Sequence, residues 1–118
     1  MAYSESLANR IRETLVDIAD VREKNMMGGL TFMVNEKMCV GIFKGELMCR
    51  IDPALVNQVV EKTGCRVMTM AGRSMKGYVL VDETGIRTPN ELAYWISLCL
   101  DFNKYAKQSK KESKTRYG

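Results

Sequence analysis

The run from Met26 to Ile42, Met-Met-Gly-Gly-Leu-Thr-Phe-Met-Val-Asn-Glu-Lys-Met-Cys-Val-Gly-Ile, is the most apolar part of the chain and limits its fold more than any other stretch. A glycine pair opens it, and from Leu30 the apolar residues recur with a period of two, the spacing of a strand that buries one face. Such a stretch needs other strands beside it. It is read as the centre of an antiparallel sheet, with Gly28-Gly29 permitting a bend, a bulge or a close backbone approach that a side chain would block.

Lys44-Gly45 separates Met38 to Phe43 from Glu46 to Ile51. A two-residue loop there pairs Phe43 with Glu46, so that Ile42 faces Leu47, Val40 faces Cys49 and Met38 faces Ile51 on one apolar face. This register sends Cys39 and Cys49 to opposite sides of the sheet and predicts no disulfide between them. Upstream, a two-residue Asn35-Glu36 turn would turn Leu30, Phe32 and Val34 away from Val40. A three-residue loop, Asn35-Glu36-Lys37, keeps them with it and is preferred. The second face then carries Gly29, Thr31, Met33, Cys39, Gly41, Phe43, Met48 and Arg50. It is too apolar for a solvated surface, and is either covered by the chain's own loops or joined to a second copy.

Helices flank these strands. Ser4 is a candidate N-cap for an amphipathic helix over about residues 4–19, with Leu7, Ile11, Leu15 and Ile18 as its stripe. Val21 to Lys24 reads as a short strand leading through Met27. Asp52-Pro53 starts and Gly64 ends a short helix that buries Leu55, Val56, Val59 and Val60. Cys65 to Met70 is a strand, Ala71 to Lys76 an irregular basic loop, Gly77 to Asp82 a strand, and Glu83-Thr84-Gly85 a turn. Thr88-Pro89-Asn90-Glu91 combines an N-cap, a proline at the first helical position and the glutamate of a capping box. The helix it opens carries Leu92, Trp95, Ile96, Cys99, Phe102 and Ala106 on one stripe. Residues 1–106 form one domain, followed by a basic flexible tail, 107–118. The tail holds Lys107, Lys110, Lys111, Lys114 and Arg116 against Glu112, which is the whole of the net charge of +4. With a neutral body, nucleic-acid binding is confined to a weak contact through this tail.

Composition argues against most enzymes. The chain has no histidine, which removes the commonest general base and every Ser-His or Cys-His pair. Its four cysteines, Cys39, Cys49, Cys65 and Cys99, lie in apolar surroundings without a C-x-x-C pair and are read as buried and reduced, with no metal and no cofactor. No apolar run is long enough to span a membrane, so a cytoplasmic location is expected. Two stretches suit binding instead. Gly28-Gly29 offers consecutive backbone amides, and Gly72-Arg73-Ser74-Met75-Lys76-Gly77-Tyr78 sets two cations between glycines. Met33, Met48 and Met75 suit an adaptable partner surface.

Met27-Gly28-Gly29-Leu30-x-Phe32-Met33-Val34-Asn35, Met38-Cys39-Val40-Gly41, Leu47-Met48-x-Arg50, Gly72-Arg73-x-Met75-Lys76-Gly77-Tyr78-Val79 and Leu92-x-x-Trp95 together resemble the N-terminal domain of the TfoX (Sxy) competence regulators over roughly residues 3–106. The resemblance implies a two-layer α+β fold of α-β(3)-α-β(2)-α order with an antiparallel sheet of about five strands. It also implies a regulatory role, since family members that control natural transformation act with a cyclic-AMP-dependent transcription activator. Those regulators carry a second, helical domain where this sequence has its short tail, and no catalytic residue follows from the resemblance. The expected function is a non-enzymatic protein-interaction module and homodimer, using Met33, Met48 and Arg50 beside the Arg73–Tyr78 loop, with the transcription machinery as partner. The alternative is a small-ligand or anion-binding domain, an enzyme included, built from Gly28, Gly29, Arg73 and Lys76.

Overall fold

The computed structural model describes residues 4–26 and 28–106; Met27 and the basic segment 107–118 lie outside the described residues. The Ser4 hydroxyl accepts a hydrogen bond from the Leu7 N–H and starts α1 (Glu5–Thr14), which buries Leu7, Ala8 and Ile11. The helix is shorter than the expected 4–19. Leu15 caps it, and Asp20 takes φ 56° to turn the chain into β1 (Val21–Met26). Then come β2 (Gly29–Val34), β3 (Lys37–Phe43) and β4 (Glu46–Arg50), followed by a 3-10 turn at Pro53–Leu55 that runs into the single turn α2 (Val56–Val59). After β5 (Cys65–Met70), β6 (Arg73–Val81) and a 3-10 turn at Glu83–Gly85, the chain closes with α3 (Pro89–Asn103). Both halves of the capping box form, with Thr88 and Glu91 bonding each other's backbone N–H.

The strands make one antiparallel six-stranded sheet in the order β1-β2-β3-β4-β6-β5. The fold is α+β as expected, with four strands rather than three before the middle helix. The strand beyond the implied order is β1, expected from the residues at Val21 to Lys24, which pairs with β2 along its whole length, from Val21 opposite Val34 to Met26 opposite Gly29. The Lys44-Gly45 hairpin has the expected register: Phe43 opposite Glu46, Ile42 opposite Leu47, Val40 opposite Cys49.

The β2–β3 connection corrects the expected loop. Asn35 and Glu36 form a two-residue turn with φ of 54° and 65°, yet Leu30 faces Ile42 and Phe32 faces Val40. The register shifts because Met33 pairs with Met38 and Phe32 with Val40, leaving Cys39 as the extra residue of a β-bulge. Both Cys39 and Val40 therefore enter the core, while Met38 moves to the other face. Cys39 and Cys49 share one side of the sheet, contrary to expectation, and both are free thiols.

On the helix-covered face Phe32, Val40, Ile42, Leu47, Cys49 and Val79 pack with Ile11, Leu92, Trp95, Ile96 and Cys99. On the opposite face Phe43, Met48, Met68 and Leu80 form a second buried cluster, with Met38, Met70, Met75 and Tyr78 against it. The chain's own β5–β6 hairpin thus supplies the cover. Ala71 and Gly72, with φ of 54° and 78°, make its tight turn, so Arg73 to Lys76 belong to a strand and not to the expected basic loop. Between Val67 and Thr69 the β6 partner jumps from Val79 to Ser74, so β6 makes the irregular excursion and β5 remains a plain strand.

The glycine pair that opens the apolar run has two separate duties. Gly28 has φ 75° with open space around it, whereas a Cβ on Gly29 would run into the carbonyl oxygen of Ile42 on β3. Gly28→Ala should cost roughly 1 kcal/mol, the strain of a left-handed residue. Gly29→Ala should cost more, about 2 kcal/mol or above, because backbone must move. Urea unfolding of both variants checks the order; equal midpoints would contradict it.

Candidate functional site

Arg50 ends β4 opposite Tyr78 of β6, and its guanidinium lies 5.8 Å from the Tyr78 ring centroid and 5.9 Å from that of Phe102 on α3. The two rings hold the cation by their electron-rich faces, and an Arg50 N–H reaches toward the Met38 carbonyl at 3.4 Å. Gly77 makes this approach possible. It has φ 81°, its carbonyl accepts from the Ile51 N–H at 2.8 Å, and a Cβ there would sit 3.0 Å from the Ile51 oxygen and 3.3 Å from Pro53. The result is a groove of about 360 Å³ lined by Arg50, Ile51, Pro53, Lys76, Tyr78, Phe102 and Tyr105. Among the described residues its lining holds the cations Arg50 and Lys76 over an apolar floor, and Tyr105 is 77% exposed at its rim. A larger open cleft of about 490 Å³ lies between Glu61–Thr63 and Asn90–Trp95, where Lys62 stands 4.8 Å over the Tyr94 ring. It mixes both signs of charge, with Glu61 and Glu91 beside Lys62.

Arg50, Lys76 and Tyr78 come together as neighbours, with Gly77 shaping the backbone between them. Met75 is half-buried against the methionine cluster, and Met48, at 2% exposed, is part of its interior rather than a surface for a partner. Met33 is half-buried beside Arg22, Lys24 and Glu36, away from the groove. Arg73 is exposed near the hairpin turn, opposite Met70. Gly28 and Gly29 stand at the other end of the sheet. Leu30 lies across from Ile42, Ile42 from Leu47 and Leu47 from Val81, whereas Arg50 lies across from Tyr78 at the far end of the same strands. The glycine pair and the Arg73–Lys76 cations therefore do not share a site. Sequence reasoning left out Pro53, Phe102 and Tyr105 as groove walls. For Phe102 and Tyr105 the signal was an i, i+3 pair of aromatics at the end of the final helix and in the turn that follows it.

The thiols are inert in character. Burial raises the Cys39 thiol well above its ordinary range, and burial with the adjacent Cys49 thiol does the same to Cys99. Half-buried Cys65 is pushed up by burial to about 11. Among the described residues no group of acidic, cysteine or histidine side chains is placed to hold a metal ion, and no helix is long and apolar enough to cross a membrane.

Fold and groove together describe a small α+β module that holds a cation between two aromatic rings at the end of its sheet. Within that class, the family model for the TfoX N-terminal domain matches residues 13–103, and the chain belongs to that family. No curated protein and no solved structure matches it.

Thiol labelling tests the cysteine environments. A thiol-specific reagent should modify Cys65 first in the folded protein, at a rate that climbs about tenfold per pH unit between pH 8 and 10 as thiolate forms. Cys39, Cys49 and Cys99 should react only on unfolding. Peptide mapping that finds any of these three modified as fast as Cys65 would contradict their placement.

Proposed function

We propose that this TfoX-type domain is a non-enzymatic protein-interaction module, and that the groove at Arg50 is where it docks an acidic segment of a partner protein. The observation that carries this reading is the Arg50 guanidinium held across Tyr78 and Phe102 with Lys76 beside it, over a floor of Ile51 and Pro53. Two neighbouring cations favour an anionic partner, and the aromatic and proline walls favour an apolar side chain next to the negative group. A short segment with a bulky residue flanked by Asp or Glu meets both demands. The wider role we propose is regulation of transcription and competence, in line with the family members that control natural transformation. The family membership supports this wider role.

A labelled peptide with tryptophan between aspartates and glutamates serves as the probe, with fluorescence anisotropy as the readout. Binding should weaken as salt is raised. Lys76→Glu and Arg50→Glu should each reduce affinity at least tenfold, the scale expected when a charge facing a desolvated anion is reversed. Lys76 is exposed, so its variant keeps the fold and protects the test against a misfolded Arg50→Glu. Equal binding of a peptide carrying lysines in place of the acids would overturn the reading. A thermal shift with inorganic phosphate or nucleotides, and none with the peptide, would instead favour a small-anion site.

A further inference from the structure

The sheet has two outer strands, β1 and β5, and they differ in how they meet another strand. Pairing of an edge with its own copy about a two-fold axis normal to the sheet keeps each face on its own side, so residues of the same face oppose one another. For β1, registers centred on Arg22, Glu23 or Lys24 place arginine on arginine, glutamate on glutamate with Arg22 on Lys24, or lysine on lysine. Like charges directly opposite are unfavourable, and charged residues are a common guard on edge strands. The four interior positions of β1, Arg22 to Asn25, are polar and exposed.

The β5 strand, Cys-Arg-Val-Met-Thr-Met, has neither lysine nor proline, and its single charge, exposed Arg66, is paired with a carboxylate of the same sheet. The Arg66 guanidinium bonds the Glu46 carboxylate on β4 at 2.5 Å, across β6 and away from the edge. Its backbone is also suitably directed. Asp82 N–H donates to the Gly64 carbonyl at 2.9 Å while Cys65 lies opposite Val81, so Cys65–Val81 is a pair without mutual hydrogen bonds and Arg66–Leu80 is the bonded pair. The N–H and C=O of Val67 consequently point outward from β6. The extra residues of the register irregularity are on β6, and β5 runs as one continuous strand from Cys65 to Met70.

We infer that β5 is the surface through which two copies of this chain pair, antiparallel about a two-fold axis at Val67. At that register the two Val67 residues exchange both N–H···O bonds and their half-buried side chains meet. Arg66 faces Met68, and Cys65 faces Thr69, with no like charges opposed. A register centred on Arg66 would set arginine against arginine, and one centred on Met68 would set Val67 against exposed Thr69 in place of a second valine. This surface differs from the expected dimer face of Met33, Met48 and Arg50, whose Met48 is already covered within one chain. It stands independently of the acidic-segment groove.

Sedimentation velocity of the full chain over a concentration series, combined with site-directed crosslinking, tests the inference. The wild-type chain should sediment as a dimer, and Val67→Lys should sediment as a monomer at the same concentrations with an unchanged far-ultraviolet circular-dichroism spectrum. Opposed Cα atoms in a bonded pair are about 5.5 Å apart, within disulfide reach. In a Cys65→Ser background, Val67→Cys should therefore form an intermolecular disulfide on mild oxidation, while Glu23→Cys on β1 should not. A wild-type monomer throughout, a Val67→Lys dimer, or crosslinking at Glu23→Cys equal to that at Val67→Cys would each overturn the inference. Peptide binding at the groove should be unaffected by Val67→Lys, which separates failure here from failure of the docking reading.

Discussion

A single additional residue in β3 decides which side of the sheet the most apolar part of the chain faces. Asn35 and Glu36 adopt left-handed conformations in a turn whose twist suits a hairpin. Continued without interruption, that turn would put Phe32 opposite Cys39 and Leu30 opposite Gly41, dividing the large side chains of β2 and β3 between two faces. The bulge at Cys39 restores Phe32 to Val40 and Leu30 to Ile42. It interrupts the ladder at one position, a loss on the order of 1 kcal/mol. In return Leu30, Phe32 and Val34 are all buried on the helix-covered face, and each such side chain contributes roughly 1.5–3 kcal/mol. Burial wins by several-fold, so the ladder yields.

The same compromise, repeated in β6, makes the groove. Residues Met75 to Tyr78 depart from the β5 ladder, and Gly77 in a left-handed conformation lets the strand press against Ile51 and Pro53. Met75 thereby turns onto the methionine cluster, and Tyr78 stays opposite Arg50. Methionine tolerates such an irregular surface because its unbranched side chain adapts to gaps that branched residues leave empty. The second face of the sheet is closed by soft side chains from the chain itself. The groove is the concave margin of that closure, where the last turn of α3 brings Phe102 within reach of a cation at the end of β4.

Local chemistry made parts of this legible in advance. Lys44-Gly45 between alternating runs specified its hairpin, and Thr88-Pro89-Asn90-Glu91 specified the start of α3, because each signal lies within a few residues of what it controls. The Ala71-Gly72 turn was hidden for the converse reason. Alanine rarely occupies a left-handed conformation, so the turn reads as part of a basic loop, and Arg73 to Lys76 were assigned to that loop instead of β6. Cys39 carries no mark of a bulge, since the shift is selected by the burial of residues on another strand. Arg50 and Tyr78 were recognisable as candidates. Their joining with Phe102 depends on packing between elements some fifty residues apart in sequence, which no local pattern encodes.

The groove and the β5 edge also have a geometric relation that bears on how partners are engaged. In the proposed dimer, antiparallel pairing at Val67 reverses strand direction from one copy to the other, and because Val67 lies opposite Val79 and Val79 opposite Cys49, each Arg50 would stand one residue past the level of the two-fold axis, with five strand spacings, about 24 Å, between the two copies of β4. Segments bound in the two grooves would run antiparallel to each other. A link of fewer than about seven residues between two acidic segments could not span that separation, and the avidity of a tethered second segment vanishes when its linker cannot reach the second site. Such a dimer therefore favours two separate partner molecules, or one long extended chain, over a compact bivalent ligand. In this arrangement β5 sets the spacing and polarity of the two sites, while the Arg50 groove sets the chemistry recognised at each.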